Sequence, residues 1–132
     1  MAILRRVLYL DSFLAGVVGL GLAVAPEFLL VTLFGQPRGP DDEVARLLGV
    51  TLVSLALLMV LVGHRVEDLW WWCWAFVLLE AGTALVALLN AAVGLPQGAA
   101  AWPWWGIGVG SLGFAAAFVW GIGKAGIERP PS

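Results

Sequence analysis

A glutamate within an apolar stretch is the residue of this chain best placed for chemistry. Glu80 lies near the centre of the run 69–93, where the middle of a bilayer would fall. A carboxylate in that environment is costly, so a partner, a water-filled cavity or a bound proton must compensate for its charge. Thr83 and Asn90 follow at offsets of three and ten residues, which places all three on one helical face. This face is the predicted site for a proton or a ligand.

Glu80 also has a purely structural interpretation. A protonated carboxyl group donates a hydrogen bond, and Thr83, Asn90 or a neighbouring backbone carbonyl can accept it. In that case the residue holds helices together and binds no solute.

A second acid interrupts the first apolar stretch. Asp11 lies one to two helical turns inside it, about 8 Å from the level of Arg6 at ~1.5 Å per residue. We expect an ion pair near the membrane surface, with Arg65 or Lys124 as partner. The alternative is a second proton or ligand site, or an acid–base partner of Glu80.

Further charged residues are predicted to form ion pairs at the membrane surface. Arg46 falls in the first turn of the second apolar segment, where a cation opposes the helix dipole. We therefore expect it to pair with Glu27, Asp42 or Glu43, or to meet an anionic lipid headgroup. Arg65 is expected to lie at the opposite interface.

Composition predicts one compact membrane domain. The chain has 132 residues, of which 61% are hydrophobic and only 12% charged. A soluble domain of this size cannot bury so much apolar surface. The net charge of −2 and the lack of a Lys/Arg cluster indicate no nucleic-acid partner. With Cys73 and His64 the only residues of their types, and no phosphate-binding loop or nucleophile triad, the sequence indicates no metal and no cofactor.

Four apolar segments predict an all-α membrane bundle of four helices. A helix needs ~20 apolar residues to cross a bilayer, and helices satisfy their own backbone there. Asp11 and Pro26 favour a retained first helix over a cleaved secretory signal. The predicted helices span residues 3–25, 45–63, 69–93 and 104–123, with an interfacial or re-entrant segment at 27–34 and a flexible tail at 125–132.

Charge and tryptophan placement predict the orientation. Positive residues concentrate in cytoplasmic loops, and here five lie on one side and two on the other. We therefore expect a multi-pass protein of the bacterial inner (plasma) membrane with both termini cytoplasmic. Tryptophans near the helix ends predict an aromatic belt. The larger cationic set is Arg5, Arg6, Arg65, Lys124 and Arg129, and the smaller one is Arg38 and Arg46.

Small residues at helical spacing predict where helices pack. Close packing of small residues drives helix association in lipid. Gly16 and Gly19 mark such a face on the first helix, and Gly106, Gly110 and Gly113 mark one on the fourth. We expect these faces to pack the bundle, and a seam between copies of the chain is the alternative.

Short motifs give the chain a family resemblance. They are Leu10-Asp11 in the first helix, Ala25-Pro26-Glu27 at its end, and Ala45-Arg46-Leu47-Leu48-Gly49 at the start of the second. With these motifs the chain resembles small bacterial four-helix membrane proteins of the DoxX-like type. Proteins of that general shape are associated with quinone-linked oxidoreductases or bind sterol-like ligands. The resemblance transfers no catalytic residue.

Three functions remain open from the sequence. An accessory or scaffolding subunit that packs against membrane partners is favoured, because the loops are short and polar residues are sparse. A protein that binds or transports a lipophilic or protonated solute at Glu80 is the second, and a membrane enzyme using Glu80 and Asp11 as acid and base is the third. The scaffold predicts a sealed Glu80, the transporter predicts water access to it, and the enzyme predicts that both acids line one cavity.

Overall fold

The computed structural model describes residues 1–37 and 42–128. Within them the chain is helical and contains no strand. A π-helical segment, Phe28–Leu33, follows the first helix, a 3-10 turn, Trp70–Trp72, precedes the fourth, and a π-helical turn, Asn90–Gly94, follows the fourth. The α-helices are α1 (Ala2–Val24), α2 (Asp42–His64), α3 (Val66–Leu69), α4 (Cys73–Leu89) and α5 (Trp102–Glu128).

Four helical segments are long and apolar enough to cross a membrane. This confirms the predicted all-helical architecture of four membrane-length helices. The predicted interfacial segment after the first helix coincides with the π-helical segment. The four candidate spans are Ala2–Val24, Asp42–His64, Val66–Gly94 and Trp102–Ile127.

The apolar run 69–93 predicted one regular helix for the third span, but the structure differs from this prediction. The span begins earlier, with α3, and tightens into the 3-10 turn at three consecutive tryptophans before α4 starts. Trp70 and Trp71 pack edge to face, with ring centroids 5.2 Å apart. Aromatic side chains lose rotamer freedom against the preceding helical turn, which accounts for the break at this position.

The C-terminal helix is longer than predicted. The flexible tail expected from residue 125 is wrong for residues 125–128, because α5 continues to Glu128. Ala125 is fully buried in the core, and Lys124 lies over the Trp120 ring, 5.6 Å from its centroid. Packing of this last turn holds it in the helix. The rest of the predicted tail, residues 129–132, lies outside the described residues, as does Arg38.

Contacts of α1 show that the chain begins and α5 ends at the same end of the bundle. The Arg5 guanidinium donates a hydrogen bond to the Gly63 carbonyl (3.0 Å) and forms an ion pair with Glu67. A Cβ placed on Gly121 would lie 3.0 Å from Leu4. The start of α1 therefore lies beside the ends of α2 and α5 and the start of α3. We call this the N/C end.

At the opposite end of the bundle, the segment after α1 contacts the start of α5 and the residues just before it. The Gln36 amide nitrogen donates a hydrogen bond to the Ala100 carbonyl (3.0 Å), and the Trp104 indole donates one to Gln36 Oε1 (2.9 Å). Phe34 packs edge to face on Trp102, with ring centroids 5.8 Å apart. The four long helices thus alternate in direction.

The hydrophobic core lies toward the N/C end. It receives side chains from all five helices, and Phe76 and Phe118 stack within it with ring centroids 6.0 Å apart. The buried members of this N/C core are Leu4, Leu8, Met59, Val62, Val66, Cys73, Phe76, Phe118, Ile122 and Ala125.

Small residues bring α1 and α2 into backbone contact. A Cβ on Gly49 would lie 2.5 Å from both the Gly19 carbonyl oxygen and the Ala23 nitrogen. A Cβ on Gly16 would lie 3.6 Å from the Ala56 Cβ. The predicted glycine face of the first helix therefore lies at the α1–α2 interface.

The glycine face of α5 does not pack inside the chain. A Cβ added to Gly106, Gly110 or Gly113 would meet no atom within 4 Å. The expectation that these residues pack the bundle is wrong, because Gly108, on another face of α5, approaches Leu88 of α4 instead. The seam between copies stays a prediction.

Candidate functional site

A pair of buried acids from two different helices forms the candidate site. Asp11 of α1 and Glu80 of α4 are only 4% and 7% exposed. Their carboxyl groups lie close enough to interact with each other. The two residues are far apart in sequence, so the pair exists only when the two halves of the bundle are assembled.

The helical pattern explains why the acids meet. Asp11 continues the buried face of α1 one turn beyond Leu8, and Glu80 continues that of α4 one turn beyond Phe76. Leu8 and Phe76 both belong to the N/C core. Side chains on a helix tilt toward its N-terminus, so Glu80 reaches toward the N/C end, where Asp11 lies.

A hydrogen bond between two carboxyl groups requires a proton. An ionised carboxylate only accepts hydrogen bonds, whereas a protonated carboxyl group donates one. One acid of the pair is therefore protonated whenever the bond is made. In addition, Asp11 Oδ2 is buried and has no hydrogen-bond partner among the described residues. The site thus places two buried carboxyl groups in contact and includes an oxygen that accepts no hydrogen bond from the described residues.

The predicted surface ion pair of Asp11 is wrong. Arg65 instead bonds to Asp68, at 3.1 Å, and Lys124 lies over the Trp120 ring. Asp11 faces the bundle interior because it shares the buried stripe of α1, while Arg65 and Lys124 are exposed.

Two other residues of the predicted face do not bond to Glu80. The Thr83 hydroxyl donates a hydrogen bond to the Leu79 carbonyl of its own helix (2.7 Å). Asn90 is half-buried but sits ten residues farther on, about 15 Å along the axis at ~1.5 Å per residue. Sequence reasoning included Asp11 among the candidate site residues but favoured a surface ion pair for it, although its spacing from Leu4 and Leu8 places it on the buried face of α1.

The charged residues predicted at the surface are arranged differently from the expectation. Arg46 is exposed and forms no ion pair with another described residue, and Asp42 and Glu27 are also exposed. The predicted pairs of Arg46 are therefore not formed, and its contact with a headgroup stays a prediction. Arg65 does pair, with Asp68, and the pattern gave no signal for the Arg5–Glu67 pair.

Two open clefts lie on the surface of the bundle. One, of about 390 Å³, is lined by Arg6, Val7 and Leu10 of α1 and by Gly110, Gly113 and Phe114 of α5. The other, of about 310 Å³, is lined by Glu43, Arg46, Leu47 and Val50 of α2. Neither includes Asp11 or Glu80.

Residues 1–37 and 42–128 contain no group of three or more His, Cys, Asp or Glu side chains that could hold a metal ion. Cys73 is a free thiol buried in the N/C core.

Comparison with known proteins found no match to a family, to a curated protein or to a solved structure. The DoxX-like resemblance therefore stays a prediction from short motifs.

Proposed function

We propose that this chain is a multi-pass membrane protein that binds a proton, or the protonated group of a lipophilic solute, at the Asp11–Glu80 pair. The contact between these two buried carboxyl groups, contributed by different apolar helices, carries the proposal. Ionisable residues inside a membrane commonly mark proton relays and solute pathways.

The unpaired oxygen of Asp11 favours binding over a closed structural bond. Buried polar atoms in folded proteins nearly always have a hydrogen-bond partner. Asp11 Oδ2 lacks one within the described residues, so it can accept a hydrogen bond from a protonated amine or a hydronium ion. When one acid of the pair is ionised, the bound cation also neutralises its charge.

The surface of the bundle supports a bilayer as its surroundings. Large apolar side chains cover it along all four spans, including Phe13 (67% exposed), Leu78 (76%) and Val93 (85%). Contiguous apolar surface of this extent is unfavourable in water. The imbalance of positive residues supports cytoplasmic termini in a bacterial inner membrane.

Infrared difference spectroscopy in nanodiscs tests the proposal. We expect the carbonyl band of a protonated carboxyl group to change as pH is raised from acid to alkaline. Glu80→Gln and Asp11→Asn should each alter the size and the pH range of that change, because each leaves one carboxyl group without its carboxyl partner. Asp42→Asn, at an exposed acid, is the control and should preserve it. A band that stays constant across the whole pH range would contradict binding of an exchangeable proton.

An accessory subunit is the second candidate. The observation that favours it is the open glycine face of α5, where a Cβ added to Gly106, Gly110 or Gly113 would meet no atom of the described residues within 4 Å. This function predicts the constant carboxyl band, so the same experiment separates the two candidates. Neither cleft includes the two acids, which agrees with the sealed Glu80 expected of an accessory subunit and gives no support to the enzyme hypothesis, which requires both acids to line one cavity.

A further inference from the structure

The cleft between α1 and α5 is a groove that opens away from the N/C end. The two helices touch where Gly121 meets Leu4, with a would-be Cβ at 3.0 Å. Farther from the N/C end of α5, a Cβ added to Gly113 or Gly110 would meet no atom of the described residues within 4 Å. The helices therefore diverge and leave a groove of about 390 Å³. Its walls are apolar, and the missing side chains of the two glycines give it depth.

One cationic side chain, Arg6, lines this groove at its N/C end. Arg6 is exposed and forms no ion pair with any described residue, although it lines the groove. Its neighbour Arg5 differs, because it is engaged by the Gly63 carbonyl and by Glu67. Arg6 lies in the second turn of α1, so in a bilayer it falls near the level of the headgroups.

We propose that this groove binds an acyl chain of an anionic phospholipid whose phosphate is held by Arg6. Arginine presents several N–H donors that match a phosphate group, and cations near a membrane surface attract anionic lipids. The apolar walls beyond Arg6, with Val7, Leu10 and Phe114, suit the acyl chain. The site is separate from the Asp11–Glu80 pair and does not depend on its function.

Charge favours a lipid over a second copy of the chain in this groove. A twofold dimer uses the same patch on both subunits. Its interface would bring Arg6 toward its own copy, and no acidic side chain of the described residues lines the groove to compensate. An anionic headgroup supplies that missing charge.

Lipid titration followed by native mass spectrometry of the full chain tests this site. The probes are phosphatidylglycerol and phosphatidylcholine with identical acyl chains, added to protein in detergent micelles. We expect tighter binding of phosphatidylglycerol. Arg6→Gln should weaken it about fivefold, from ~1 kcal/mol per cation near anionic lipid, and leave phosphatidylcholine unchanged. Gly113→Leu should abolish binding of both, because its side chain fills the groove.

The matched control is Arg65→Gln. Arg65 is also an exposed arginine at the N/C end, but it bonds to Asp68 and does not line the groove, so phosphatidylglycerol affinity should not change. Equal effects of the two arginine substitutions, or equal binding of the two lipids by the unaltered chain, would overturn the proposal. So would a switch from dimer to monomer in Gly113→Leu, which would assign the groove to a second copy. Gly110→Leu, checked for helicity by circular dichroism, repeats the groove test should Gly113→Leu misfold.

Discussion

At the residue scale, the Asp11–Glu80 contact joins the two halves of the bundle. The residues sit directly above the N/C core, so the pair is the first polar contact beyond a packed apolar layer. Removing one member leaves the other buried without its partner. Replacing both with amides keeps the shape and restores donors to the site.

The pair should therefore be energetically coupled. We expect Asp11→Ala to lower the free energy of unfolding by about 1–3 kcal/mol, the typical cost of leaving a buried polar group unpaired. Asp11→Ala and Glu80→Ala together should cost less than the sum of the single changes, with a coupling of about 0.5–3 kcal/mol. Unfolding in mixed micelles measures the cycle. Strictly additive effects would show that the two side chains do not interact.

Only part of this site was predictable from the sequence. An acidic residue inside an apolar run is easy to recognise in a sequence, so both Asp11 and Glu80 were identified as candidate site residues. Their meeting was left as an alternative and was not favoured. It depends on the register of α1 against α4, which is set by the two connections between these helices and by the early start of the third span. Asp11 was expected at a surface ion pair for the same reason.

At the element scale, the bundle is built from two closely packed pairs, α1 with α2 and α4 with α5. Glycines make both contacts possible: Gly19 and Gly49 in the first pair, and Gly108 against Leu88 in the second. The sequence shows small-residue stripes on α1 and α5 alike. It cannot show which stripe has a partner, since that depends on how the helices are rotated in the assembled bundle.

Two alanine substitutions should distinguish a glycine that packs against another helix from one that faces open space. Gly49→Ala should reduce the free energy of unfolding by about 1–3 kcal/mol, since the added methyl group meets the backbone of α1 and forces the helices apart. Gly110→Ala is the matched control and should cause no loss, because its Cβ meets open space. Chemical unfolding of both variants in the same micelles is the measurement. An equal loss in both would contradict the α1–α2 packing.

Arg5 should hold the N/C end of the bundle together. It joins α1 to the last turn of α2 and to α3. We expect Arg5→Ala to speed hydrogen exchange of the backbone amides in residues 63–69, because it removes the ion pair with Glu67 and the hydrogen bond to the Gly63 carbonyl, and the hydrogen bond contributes about 1 kcal/mol. Arg6→Ala, measured without anionic lipid, is the control and should leave exchange there unchanged. Equal exchange in the two variants would show that Arg5 does not join these helices.

At the scale of the whole molecule, alternation of the four long helices brings the start of α1 and the end of α5 together. The count and length of the apolar segments were enough to predict this arrangement. The extension of α5 to Glu128 was not predicted, because it rests on the burial of Ala125 rather than on a local signal. Which side of a membrane holds the N/C end is a prediction from the positive residues alone.

Labelling of single cysteines in intact cells tests that orientation. In a Cys73→Ala background, Pro37→Cys should react with a membrane-impermeant maleimide from outside. Ile127→Cys, at a position 85% exposed near the N/C end, should react only after lysis. The reverse pattern would overturn the orientation, and labelling of both from one side would contradict the alternating arrangement.

The shared position of the first and last helices also makes the molecule suited to tandem fusion. A second copy joined after α5 through a flexible Gly/Ser linker would insert in the same orientation, with no extra crossing between the copies. Such a concatenated gene fixes the stoichiometry and allows Glu80→Gln to be placed in one copy alone. An equal mixture of the normal and the altered carboxyl signals would then mean that each bundle titrates independently, and a fully altered signal would mean that the copies act as one unit.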